Sequence, residues 1–140
     1  MTTIQRVAQI FGWIFIVLGV VGLVWPGGLS MTATMGPEQP RLFGIFPINL
    51  LHNVVHVALG VWGVLAARTW ASAKGYALGA GTLYAILAVA GFFIPTFFGL
   101  VPIGGNDIWL HVLLAVVLIG FGAAAREPTI TVRDTTTTSV

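Results

Sequence analysis

Seven side chains suited to chemistry fall in two similar stretches of this chain. The stretch FGIFPINLLHNVVH (43–56) carries Asn49, His52, Asn53 and His56, and the stretch FGLVPIGGNDIWLH (98–111) carries Asn106, Asp107 and His111. Imidazoles four residues apart on a helix can face one ion, and a carboxylate completes a set suited to Zn, Cu or Fe. The three histidines with Asp107 are therefore a candidate metal site. His111 paired with His52 or with His56 is a candidate ligand pair for haem b, with Gly60 and Gly63 leaving room for the macrocycle.

A structural role for the same residues is the main alternative. Asparagine and histidine side chains hydrogen-bond across helices in a membrane bundle, each worth about 0.6–2 kcal/mol. Asn49 can cap the second helix, and either Asn106 or Asp107 can cap the fourth. The sequence contains no conventional zinc-hydrolase motif such as HExxH, and this favours the structural interpretation.

Composition indicates the solvent in which these groups lie. Of 140 residues, 57% are hydrophobic and 7% are charged, too few charges for a water-facing surface, so the solvent is a bilayer. Four apolar runs predict an all-α integral membrane four-helix bundle over 1–126, with spans at about 4–25, 48–67, 75–94 and 108–125. The remainder, 127–140, is predicted to be a disordered polar tail. The first run has an alternative interpretation as a secretory signal with a cleavage site near Ala33.

The basic residues predict the orientation of the spans. Five of the six lie on one side of a four-span arrangement, namely Arg6, Arg68, Lys74, Arg126 and Arg133, and only Arg41 lies on the other. Because cytoplasmic loops carry the excess of Lys and Arg, both termini are predicted to be cytoplasmic, in the plasma membrane. Trp25 and Trp109 then lie at the outer interface.

The two stretches belong to a longer internal match. Phe43-Gly44 aligns with Phe98-Gly99, Pro47-Ile48 with Pro102-Ile103, and Ala66-Ala67-Arg68 with Ala124-Ala125-Arg126. The chain therefore reads as two helical hairpins repeated in parallel. Since equivalent helices enter at the same depth and polar groups face the bundle interior, the two polar stripes are predicted to meet near the outer leaflet.

The patterns FGIFPINLLHNVVHVALG and NDIWLHVLLAVVLIG resemble those of a bacterial family of small four-span membrane proteins, DUF4383. The resemblance extends from about Arg6 to Arg126. It implies the four-span fold and brings no established activity, cofactor or partner.

The function expected from the sequence is non-enzymatic. The chain is predicted to be a structural or accessory membrane component, in which the polar cluster joins the second and fourth helices, with no cofactor. The alternative is a metal- or haem-binding protein that uses His52, His56 and His111. Transport is a weaker alternative, because the first and third spans carry almost no ionisable groups. Histidine-based lipid chemistry is weaker still, because none of the membrane-embedded runs contains a serine. The lipid bilayer is the expected partner, nucleic acid is not, and a homo-oligomer or a larger membrane complex is the candidate assembly.

Overall fold

The computed structural model describes residues 1–129, so most of the predicted polar tail, 127–140, lies outside the described residues. Four helices form an all-α bundle, as predicted: α1 Thr3–Val24, α2 Leu50–Ala66, α3 Trp70–Phe93 and α4 Asn106–Ala124. The long loop between α1 and α2 adds a small antiparallel hairpin, β1 Arg41–Leu42 and β2 Phe46–Pro47. This hairpin turns through Phe43 and Gly44, both with positive φ.

Side-chain caps fix where the helices begin. Thr2 and Gln5 form a reciprocal capping box on α1. Thr69 accepts from the backbone N–H of Ser72, so α3 begins at Trp70, five residues before the predicted start of the third span. The predicted starts of the other spans lie within two residues of the helix starts.

The apolar exterior makes this chain a membrane protein. Three helices, α1, α3 and α4, are long and apolar enough to cross a bilayer, and α2 is a shorter apolar helix of 17 residues. Large apolar side chains are exposed along all four helices, including Val17, Val61, Val89 and Val116. Such a surface is costly in water and is suited to lipid.

The helices pack as two hairpins around a central contact. α1 packs along α2, α3 packs along α4, and α1 also contacts α3, so α2 and α4 flank the α1–α3 pair. The core between them contains Phe15, Tyr76, Tyr84 and Leu118. The two FG pairs match in backbone conformation, since Phe98 and Gly99 also have positive φ. The loops differ, because only the α1–α2 loop contains a strand pair, and the repeat stays a prediction.

Glycines bring α1 and α2 into backbone contact. A Cβ on Gly60 would lie 2.6 Å from the carbonyl oxygen of Gly12, and a Cβ on Gly63 would lie 2.7 Å from the ring of Tyr76. The space beside both glycines is therefore filled by neighbouring helices. The prediction that Gly60 and Gly63 leave room for a macrocycle is wrong.

Gly60→Ala is expected to lower the free energy of unfolding by about 1–3 kcal/mol, because the added methyl group forces two backbones apart. Gly75→Ala is the matched control, since a Cβ on Gly75 meets nothing within 4 Å. Removing a helical glycine there is expected to be neutral or to stabilise by up to about 1 kcal/mol. Unfolding in mixed detergent micelles measures both values, and equal effects would contradict the close contact.

Candidate functional site

Three buried side chains converge at the end of the bundle where α2 and α4 begin. Asp107 Oδ2 lies 3.6 Å from Nε2 of His52 and 3.6 Å from Nε2 of His111. His52 is 5% exposed, and Asp107 and His111 are each 2% exposed. We call these three residues the His–Asp centre. Its three converging atoms all lie within 4.8 Å of one another.

Helix geometry explains the convergence. His52 is in the first turn of α2, and Asp107 and His111 are four residues apart at the start of α4, so they share one face. Both helices begin at the same end of the bundle, and their polar faces turn inward. The predicted meeting of the two polar stripes is therefore present in the structure at these three residues.

His56 lies beside the His–Asp centre without joining it. Its ring stacks on that of His52 with centroids 4.7 Å apart, and its centroid lies 5.8 Å from that of the Phe15 ring. The converging set is therefore two histidines and one carboxylate. The prediction of a four-ligand set that includes His56 differs from this geometry, because one turn of α2 carries His56 away from Asp107.

The asparagines hold the backbone around the centre. Asn49 caps α2 by accepting from the His52 N–H at 2.9 Å, and its Nδ2 donates to the Leu100 carbonyl at 2.7 Å. Asn53 turns toward α1 and donates to the Gly28 carbonyl at 3.0 Å. Both are buried and hydrogen-bonded, which is the structural role that the sequence favours.

Asn106 and Asp107 do not cap α4. The N-cap of α4 is Gly105, which has no side-chain cap bond, because the Asp107 carboxylate turns inward toward the histidines. Asn106 is exposed and reaches only the Ile45 carbonyl, at 3.5 Å. The prediction that one of these two residues caps the helix is therefore wrong.

Two residues that contribute to the site, Gln39 and Tyr84, were not predicted from the sequence. Gln39 is buried under the long loop, where it accepts from the Thr34 N–H at 2.7 Å and donates to the Ile48 carbonyl at 2.7 Å. Tyr84 of α3 places its ring 5.3 Å from that of His111. Tyr84 is one of the few polar residues of the third span, and this was the sequence feature that could have indicated its role.

The family profile described as "Domain of unknown function (DUF4383)" matches residues 5–124. The chain belongs to the DUF4383 family. Searches of curated proteins and of solved structures find no match. Membership in DUF4383 assigns no activity, so the site of this DUF4383 protein is interpreted from its own geometry.

The histidines and the asparagines of this DUF4383 protein differ in whether their polar atoms are hydrogen-bonded. Asp107 Oδ2, His52 Nδ1 and His111 Nδ1 are buried without a hydrogen-bond partner among the described residues. Buried polar groups are normally paired, and leaving one unpaired costs about 1–3 kcal/mol. Asn49 and Asn53 meet this rule and the His–Asp centre does not. The unpaired atoms distinguish the His–Asp centre from the two asparagines beside it.

The centre suits a metal ion better than haem b. Zn²⁺ sits about 2.0–2.2 Å from its nitrogen and oxygen ligands, so small rotations of the imidazoles bring all three atoms within reach of one ion. A haem iron between His52 and His111 would need the macrocycle plane to pass between the two rings. Asp107 Oδ2, which is 3.6 Å from both Nε2 atoms, lies in that space. The haem alternative for this pair therefore does not fit.

Asn49→Asp is expected to lower the free energy of unfolding by about 1–3 kcal/mol. The aspartate keeps the acceptor that caps α2, and it loses the donor to the Leu100 carbonyl. Asn106→Asp is the control, since Asn106 is exposed, and its effect is expected to stay within about 0.5 kcal/mol. If the two variants unfold alike in mixed micelles, the buried Asn49 donor does not hold the loop.

Proposed function

We propose that this protein is a non-enzymatic structural or accessory component of the plasma membrane whose His–Asp centre ties α2 to α4 near the outer leaflet. The observation that carries the proposal is the position of Asp107 Oδ2, 3.6 Å from an imidazole of each helix. Since α2 and α4 flank the α1–α3 pair, this contact joins elements on opposite sides of the bundle. The stability of Asp107 variants, argued in the Discussion, tests it.

The absence of a cysteine or a serine beside the centre, among the described residues, supports a non-enzymatic role. The chain has no cysteine. Of the two serines within the described residues, Ser30 bonds to Thr32 in the loop and Ser72 lies in the first turn of α3, at the other end of the bundle. A mechanism with a serine or cysteine nucleophile needs that residue within hydrogen-bond reach of a base.

The proposed orientation has both termini in the cytoplasm. It is supported by basic residues at the end of the bundle opposite the His–Asp centre, where Lys74 Nζ donates to the Ala125 carbonyl and Gln5, next to Arg6, donates to the Arg68 carbonyl. Arg41 lies in the loop at the other end. An excess of positive charge marks the cytoplasmic side.

Cysteine labelling in intact cells tests this orientation, because the chain has no native cysteine. Gly36→Cys in the long loop is expected to react with a membrane-impermeant maleimide, since Gly36 is exposed with nothing within 4 Å of an added Cβ. Ala71→Cys, also exposed, is expected to react only after the membrane is permeabilised. The reverse pattern would overturn the orientation while leaving the fold intact.

The second candidate function is metal binding at the His–Asp centre. Three ligand-type atoms within 4.8 Å of one another, each in a residue no more than 5% exposed, favour it. Two histidines and one carboxylate also leave a coordination position open, as in catalytic zinc and non-haem iron sites. Elemental analysis, argued at the end of the Discussion, tests this candidate.

A further inference from the structure

A recess of about 540 Å³ lies at the end of the bundle opposite the His–Asp centre. The start of α1, the start of α3 and the end of α4 form its wall. Its volume lies within the range of small-molecule sites, which is about 300–1,000 Å³. The structural role proposed above does not use this recess.

Two cationic side chains lie at the recess. Arg126 lines it and is exposed. Lys74 Nζ donates to the Ala125 carbonyl at 3.1 Å and lies 5.2 Å from the centroid of the Trp70 ring. Because Ala125 and Trp70 both line the recess, the Lys74 ammonium lies at its edge. An ammonium has three N–H donors, so the bond to Ala125 leaves donors for a ligand. The exposed Thr3 hydroxyl adds a neutral donor on the same wall.

The charge at this end of the bundle favours an anion. Among residues 1–129, four basic side chains and one acidic side chain lie here, namely Arg6, Arg68, Lys74, Arg126 and Glu127. The other two acids of the described residues, Glu38 and Asp107, lie toward the opposite end. The ion pairs among the described residues both belong to the His–Asp centre, so no carboxylate of residues 1–129 is paired with Arg126. A local excess of positive charge attracts anions.

The wall of the recess also suits an acyl chain. Phe121 lies about one turn of α4 further along the bundle than Ala124, and both line the recess and are exposed. Exposed apolar surface on this bundle faces lipid, and tryptophans such as Trp70 are enriched at the membrane–water interface. The recess therefore joins a cationic rim to a lipid-facing apolar side. A phospholipid matches both parts, whereas a soluble phosphate matches only the rim.

We propose that this recess binds a phospholipid with a net negative headgroup, with the phosphate within reach of Arg126 and Lys74 and one acyl chain along Phe121. Arginine and lysine donate charge-assisted hydrogen bonds to phosphate oxygens. Basic pockets between membrane-spanning helices are suited to anionic lipid headgroups. The proposal goes beyond the structural role proposed above. It requires no metal at the His–Asp centre, and it holds for either orientation of the bundle.

Binding is tested with the full-length protein in neutral detergent micelles, using phosphatidylglycerol as the probe and the shift in thermal midpoint as the readout. Phosphatidylcholine with the same acyl chains is the comparison without net charge, and glycerophosphoglycerol is the anionic headgroup without chains. We expect phosphatidylglycerol to raise the midpoint with about tenfold higher apparent affinity than phosphatidylcholine, and the free headgroup to give no shift. Equal shifts for the two lipids would overturn the anionic preference. An equal shift for the free headgroup would show a soluble-phosphate site instead.

Two pairs of variants locate the site. Arg126→Gln is expected to weaken phosphatidylglycerol binding about fivefold, whereas Arg41→Gln removes the same charge at the opposite end of the bundle and is expected to keep it. Ala124→Trp fills the recess and is expected to abolish the shift, whereas Ala123→Trp, exposed and outside the recess, is expected to keep it. Because Arg126 is exposed, Arg126→Gln is expected to fold and serves if Ala124→Trp does not. Equal effects within either folded pair would overturn the proposed site.

Discussion

Asp107→Ala is expected to lower the free energy of unfolding by about 1–3 kcal/mol, measured in mixed detergent micelles with a chelator present to remove metal ions. The carboxylate is the shared neighbour of two buried imidazoles, each 3.6 Å from Oδ2. Its removal leaves two buried imidazoles without their shared polar neighbour, and it breaks the contact between α2 and α4 at the ends where both helices begin. A neutral interhelical hydrogen bond in a membrane is worth only about 0.6 kcal/mol on average. The size of the loss therefore distinguishes a shared buried contact from an ordinary polar contact.

The neighbouring residue on α4 provides the control for this experiment. Asn106→Ala removes a polar side chain of similar size, and because Asn106 is exposed its effect is expected to stay within about 0.5 kcal/mol. The double variants Asp107→Ala/His52→Ala and Asp107→Ala/His111→Ala should each lose less than the sum of their single effects, since the residues are coupled. Additive losses, or a loss near 0.6 kcal/mol for Asp107→Ala, would refute the tie between α2 and α4.

Hydrophobic length and polar spacing were enough to predict the four helices and the meeting of the two polar stripes. Each apolar run approaches the roughly 20 residues of a span, and inside lipid a helix satisfies its own backbone. His52, Asp107 and His111 were predicted to meet because they share a depth and an inward face. These inferences depend on local periodicity, which a sequence records directly.

The partners of each polar residue could not be predicted in the same way. His52 and Asn53 are adjacent on α2, yet His52 points to α4 and Asn53 to α1, where the missing Cβ of Gly22 leaves room for the amide. That outcome depends on how far α2 rotates about its axis, which packing against both neighbours sets. The surroundings of His56 depend on the same rotation. Spacing along α2 places His56 in the polar stripe, but in the bundle its ring lies against that of Phe15. The inward turn of Asp107, which leaves α4 uncapped, also depends on the partner helix.

The structural and metal interpretations use the same atoms, so stability alone does not separate them. A bound ion would link α2 to α4 and stabilise the fold in proportion to its affinity. The chelator in the unfolding experiment removes any bound ion, so the measured free energy of unfolding tests the structural interpretation alone. The amount of metal that accompanies the protein is the complementary observation.

Protein purified gently from its own membranes is expected, if the metal-binding candidate is right, to carry close to one Zn, Cu or Fe per chain by elemental analysis. His52→Ala/His111→Ala removes two of the three converging ligands and should reduce this content by at least tenfold, because one carboxylate does not hold a transition metal tightly.

His56→Phe is the matched control: it keeps a ring stacked on His52 and removes an imidazole outside the converging set, so it should retain the metal. Replacement by Co²⁺ gives a second readout, since its visible absorption bands report a low-symmetry nitrogen and oxygen site. A metal-free protein that still unfolds cooperatively would eliminate the metal site and leave the histidines as structural groups. Loss of metal in His56→Phe equal to that in the double variant would instead show that the ligand set is not the one that the geometry brings together.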